Sequence, residues 1–138
     1  ARDIMDLKEE DRLKLKQLLV VTGNTVTPTA SVTLVVDDVE FNGSSVGNGP
    51  IDAAIHAIQN VTGRLGDIHL ERFSMKAITG GSDAIADVTV RLMKDGRYVT
   101  ANGVSGDTVM ASVEAILKGM NRLLDNGGAR RQASKTDS

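Results

Sequence analysis

Apolar and polar positions fall along this chain in short alternating runs, and each group of runs closes on a helical stripe. Leu18 to Thr22 is a short β-rich run that ends in Thr22-Gly23. Ser31-Val32-Thr33-Leu34-Val35-Val36 interleaves β-branched and polar residues, the pattern of a half-buried strand. Asp37-Asp38 then marks a turn, and a third strand is expected over 39–46. Pro50 opens a different period. Ile51, Ala54, Ile55, Ile58 and Val61 share one face of a helix over 50–62. The same order then recurs. Ser74 to Thr79 ends in Thr79-Gly80, and Asp87-Val88-Thr89-Val90-Arg91-Leu92 is the next β-rich run. Asp95-Gly96 is a hairpin signal, followed by a strand over 97–104 and a helix over 107–125. In that helix Val109, Val113, Ile116, Met120 and Leu123 form the stripe, and Met110, Leu117 and Leu124 broaden it.

Equivalent positions lie roughly 56 to 58 residues apart, so the chain is an internal repeat. The fold class that follows is α+β: two βββα units, with antiparallel sheets packed against helices. The chain has 138 residues, of which 41% are hydrophobic and 2% aromatic, so the core must be built from aliphatic side chains. One three-stranded sheet with one helix makes a small core. Two units packed together, and a dimer of the pair, answer that shortage. The charged segment 1–14 reads as a connector from an upstream domain, and 15–125 as the folded domain. The polar segment 126–138 has no apolar periodicity and reads as a disordered tail. There is no initiator methionine, which fits a piece of a longer protein.

Net charge is −2, with both signs spread along the chain. No basic patch and almost no stacking aromatics are present, which argues against nucleic-acid binding. No apolar run is long enough to span a membrane, and no signal peptide opens the chain. There is no cysteine, which is compatible with a cytoplasmic location. A catalytic site is not evident. His56 falls on the polar side of the first helix with Asp52 and Gln59, and His69 sits beside Glu71 and Arg72. Neither has metal-site spacing, so both read as surface or structural residues. Asp83 reads as a strand-entry residue and Asp87 as a solvated one, rather than as an acid/base pair.

Two loops carry candidate binding chemistry. Gly47-Asn48-Gly49-Pro50-Ile51-Asp52-Ala53-Ala54 is a glycine-rich turn into a helix, with proline at the first helical position. Glycines admit unusual backbone angles and close approach, and free N–H groups at a helix start can hold a carboxylate. Gly80-Gly81-Ser82-Asp83 offers N–H donors and an acidic acceptor for an ammonium group. Ala54, Ile55, Ala84 and Ala86 leave space for a branched aliphatic side chain. Either loop also reads as a plain turn. Gly103-Val104-Ser105-Gly106-Asp107 is the second repeat's counterpart. It lacks the proline, and Ser105 or Asp107 is placed to cap the second helix.

Taken with Thr27-Pro28-Thr29-Ala30-Ser31-Val32, Ala111-Ser112-Val113-Glu114-Ala115 and Asn121-Arg122, these motifs occur in an order that resembles the C-terminal regulatory domain of the 2-isopropylmalate synthase and citramalate synthase family. The resemblance covers residues 15–124. It implies two βββα units that dimerise and bind an amino-acid end product. Leucine would be the effector of a 2-isopropylmalate synthase, which joins acetyl-CoA to 2-oxoisovalerate, and this is the first reading. Isoleucine would be the effector of a citramalate synthase, the alternative. A free-standing ligand-binding or dimerisation module is a third reading. By motif, the effector residues would be Asn48, Pro50, Ile51, Ala54, Ile55, Ser82, Asp83, Ala84 and Ala86. The resemblance also implies an upstream catalytic TIM barrel holding a divalent metal. Neither the barrel's length nor its His-x-His motif is in this chain, which itself carries no cofactor on this reading.

Overall fold

The computed structural model describes residues 11–79 and 84–137, with side chains followed over 11–78 and 84–124. Three strands come first: β1 (Leu13–Val21), β2 (Thr29–Val36) and β3 (Val39–Val46). Helix α1 (Pro50–Thr62) follows, and then a short 3₁₀ turn at Gly63–Leu65. The second unit is β4 (His69–Thr79), β5 (Ala84–Lys94), β6 (Arg97–Ser105) and α2 (Thr108–Asp137). Each unit forms its own antiparallel sheet, in the order β1-β2-β3 and β4-β5-β6. The expected α+β fold of two βββα repeats is therefore the observed one.

The hairpins close as the turn residues require. Asp37 and Asp38 take φ of 50° and 71°, and Asp95 and Gly96 take 55° and 78°. These left-handed pairs match the twist of the flanking strands. Alternation then sorts each strand into two faces. Val32, Leu34, Val88, Val90 and Leu92 are buried. Their sequence neighbours Thr33 and Thr89 point to the opposite face.

Helix α1 lies on β3 and β2, while α2 lies on β6 and β5. The helices also pack on each other, and α2 reaches β1. Every residue of α2 from Ala111 to Leu117 is buried, which makes the helices an inner layer between two sheets. Two polar residues there are satisfied. Asn121 is buried, accepts the Leu13 N–H at 2.9 Å and donates to the Leu13 carbonyl at 3.0 Å. Glu114 accepts the Val104 N–H at 3.2 Å and pairs with Lys118 at 3.2 Å. Asn121 thus stitches the second helix to the first strand of the other unit.

Strands β1 and β4 begin earlier than the alternation predicts, at Leu13 rather than Leu18 and at His69 rather than Ser74. Each contains a bulge, between Leu15 and Gln17 and between Leu70 and Arg72. One extra residue moves the inward positions from odd to even numbers, or the reverse, so a period-two pattern breaks in mid-strand. Leu13 is fully buried and lies two residues inside the segment read as a connector. Residues 1–10 of that segment lie outside the described residues. Helix α2 runs on to Asp137, over the segment read as a tail. Ala129, Arg130, Arg131, Gln132 and Ala133 are good helix formers and need no apolar face for that.

Candidate functional site

The two helix starts differ in how their free N–H groups are met. At α2, the Asp107 carboxylate accepts from the N–H groups of Val109 at 2.8 Å and Met110 at 3.2 Å. That is the side-chain cap expected of this residue. At α1 the N-cap is Gly49, which has no side chain to offer. Pro50 has no N–H, and the Ala53 N–H bonds the Gly49 carbonyl at 2.9 Å. The N–H groups of Ile51 and Asp52 are left as first-turn donors without a helical acceptor.

The glycines before α1 work differently from the sequence expectation. Neither Gly47 nor Gly49 takes a positive φ. Gly49 is extended, with φ −159° and ψ 175°. What Gly47 supplies is close packing, since a Cβ there would lie 2.5 Å from the Ala53 nitrogen. Around Gly49 a Cβ would meet nothing within 4 Å. The room for an approaching group is therefore at Gly49, and Gly47 draws the loop onto its own helix.

A groove of about 500 Å³ opens at that point. It is lined by Gly49, Pro50, Ile51, Asp52 and Ile55 from the α1 start, and by Leu70 and Phe73 from β4. Its walls are almost wholly apolar, and the one ionisable residue among them is Asp52, whose carboxylate is turned to neighbours on α1 and the preceding loop. That carboxylate accepts the Asn48 N–H at 2.9 Å and lies 3.4 Å from His56 Nε2. His56 Nδ1 is 3.2 Å from the Val46 carbonyl. His56 is thus a surface partner of Asp52, as its position on the polar side of the helix predicts.

Of the expected effector residues, Pro50, Ile51 and Ile55 line this groove. Asn48 is exposed beside it, and its backbone is bonded to Asp52. Ala54 is only 1% exposed, so it supports the helix from within. Ala84 is exposed at the start of β5, while Ala86 is buried. Neither reaches the groove lining in this single chain. Ser82 and Asp83 lie outside the described residues. Sequence reasoning missed Leu70 and Phe73, and it did not place Asp52 at the groove. Phe73 had one available signal, as one of two phenylalanines in an aliphatic chain.

A second hollow, of about 450 Å³, lies on the outer face of the first sheet. Its side chains include Gln17, Leu19, Ser31, Thr33, Asn42 and Ser44, with no charged group. Among the described residues no three His, Cys, Asp or Glu side chains are grouped to hold a metal ion. No described helix is long and apolar enough to cross a membrane.

Known proteins match this chain in sequence. The description of the LeuA allosteric (dimerisation) domain matches residues 1–124. A protein of Methanoculleus marisnigri, provisionally named (R)-citramalate synthase CimA, is 47% identical over 124 residues, which is 90% of this chain and 25% of that protein. One of Methanothermobacter thermautotrophicus with the same name is 46% identical, over 91% of this chain and 25% of its own length. One of Methanopyrus kandleri, provisionally named 2-isopropylmalate synthase, is 46% identical, over 89% of this chain and 26% of its own. The chain spans about a quarter of the length of these relatives. It belongs to the LeuA allosteric (dimerisation) domain family.

Proposed function

We propose that this chain is the effector-binding part of a larger acyl-CoA-condensing synthase, and that its ligand is a branched-chain amino acid seated in the groove between α1 and β4. The observation that supports this most is an uncapped helix start beside an apolar groove, with the Asp52 carboxylate close by on the same helix turn. The open N–H groups of Ile51 and Asp52 suit the ligand's carboxylate. The Asp52 carboxylate suits its ammonium group. Ile51, Ile55, Leu70 and Phe73 suit a branched aliphatic side chain. Ser82, Asp83, Ala84 and Ala86 would join the site from the other unit or from a second copy of the chain. Dimerisation agrees with the family description, and a second copy would cover the open groove.

Regulation then follows from differential binding. The amino acid binds one arrangement of units or subunits more tightly, and the segment before Leu13 passes that bias to an upstream catalytic barrel with its metal. Coupling of about 1–3 kcal/mol is typical of such systems. Leucine is the effector expected for a 2-isopropylmalate synthase and isoleucine for a citramalate synthase. Relatives with both kinds of name stand at 46–47% identity, so identity does not choose. Calorimetric titration with L-leucine and L-isoleucine does. Selective isoleucine binding assigns the citramalate branch, and selective leucine binding the isopropylmalate branch. If neither amino acid binds the chain or its intact parent, the sensor reading fails.

A further inference from the structure

The outer face of the second sheet carries an unusual pairing. Arg72 on β4 and Arg91 on β5 are register partners, so their side chains stand side by side on one face. Like charges directly opposite across two strands destabilise a sheet. Among the described residues, neither is in an ion pair, although Arg12, Lys16, Lys94 and Lys118 each are. The Arg91 guanidinium lies 4.3 Å from the centre of the Tyr98 ring. Stacking fixes its plane and leaves its N–H edge free. Arg72, Arg91, Tyr98 and Glu71 together line a cleft of about 150 Å³.

We propose that this cleft is a site for a phosphate group, separate from the amino-acid groove and independent of that reading. Two guanidiniums can each present a fork of donors to one tetrahedral anion, and the Tyr98 hydroxyl adds another. An anion between them turns a repulsive pair into a clamp. Glu71 in the same cleft opposes binding. It leaves a net single positive charge, which limits affinity, so the preference for phosphate over chloride rests on the several oxygens that the two guanidinium forks can bond.

The test is thermal unfolding and calorimetry of the chain, titrated with inorganic phosphate against chloride at matched ionic strength. Matching is required because exposed charges are screened by salt. The expected result is saturable stabilisation by phosphate alone. Arg72→Gln weakens phosphate binding about tenfold, the scale of one lost charge-assisted hydrogen bond. Glu71→Gln strengthens it several-fold. In phosphate-free buffer Arg72→Gln melts no lower than the parent, because it removes a like-charge contact. Phenyl phosphate is the second probe. If it binds as well, the cleft takes the phosphoryl end of larger molecules; if only inorganic phosphate binds, it is a free-anion site. The proposal is overturned if phosphate acts no differently from chloride. Undiminished binding by Arg72→Gln overturns it too, as does a lower phosphate-free melting temperature for that variant.

Discussion

The two βββα units share a fold, but their helix starts differ. Asp107 closes the α2 start with its carboxylate. Gly49 leaves the α1 start open beside a groove. A cap contributes about 1 kcal/mol. The first unit forgoes that contribution at the one helix start that borders the apolar groove. Packing between strand and helix is shared, with one addition in the second unit. In the first unit, Gly43 on β3 makes room for Val61 on α1. In the second, Gly119 on α2 makes room for Leu92 and stands near Ala101. Gly103 on β6, the register counterpart of Gly43, keeps a strand glycine against the helix, so Gly119 is an added small residue and not a moved one. One unit thus has a capped and central helix, and the other a helix whose start is open beside a groove.

The largest effect is expected where the second unit is tightest. A Cβ at Gly103 would lie 2.2 Å from the Ala111 carbonyl oxygen and 2.7 Å from the Ala115 nitrogen. Both are backbone atoms of α2 and cannot rotate away. Gly103→Ala should therefore lose about 3 kcal/mol, at the upper end of overpacking effects, when measured by denaturant unfolding.

Next is the stitch between units. Asn121→Ala leaves the buried N–H and carbonyl of Leu13 without partners. A loss of about 2 kcal/mol is expected, with hydrogen exchange at β1 speeding up more than at β5.

The helix starts can be exchanged directly. Asp107→Ala should destabilise by about 1 kcal/mol and leave amino-acid binding intact. Gly49→Ser should do the opposite. The extended backbone at Gly49 accepts serine without strain. Stability should rise by about 0.5–1 kcal/mol while effector affinity falls, because the new hydroxyl takes the donors and the space. If both variants change only stability, the helix starts do not differ in use.

The smallest effect compares the two hairpins in acid. Hydrogen bonds from Arg12 hold the Asp37 carboxyl below its usual range. Lys94, its sequence neighbour, does the same for Asp95. Only the first contact joins distant parts of the chain, so only the first should support folding. A lowered carboxylate contributes stability above its unfolded pKa, and that contribution is lost as pH falls through the folded value. Acid unfolding of Asp37→Asn should thus lack a component of about 0.2–1 kcal/mol below about pH 4, and salt should shrink it in the parent. Asp95→Asn should leave the acid limb unchanged.

Much of this fold was legible in the sequence because both periods are strong. Helix α1 has the predicted bounds, and the paired turns fall at Asp37-Asp38 and Asp95-Gly96. Strand starts were hidden by the bulges at Lys16 and Glu71, which change the parity of inward positions. The lining of the groove was legible in part. Pro50, Ile51 and Ile55 carry a local signal, a glycine turn followed by a helix. Leu70 and Phe73 reach the groove only through tertiary packing between units, which no local period reports. Of the two properties expected of the glycines, unusual backbone angles are absent and open space is present at Gly49, while Gly47 serves packing.

The most direct test of the account is residue-resolved NMR of the chain titrated with L-isoleucine and L-leucine. The account predicts saturable shifts at Gly49 to Ile55 and at Leu70 to Phe73, with Gly106 to Met110 unmoved. Binding that shifts the α2 start equally, or that leaves Gly49 and Phe73 unmoved, would contradict it.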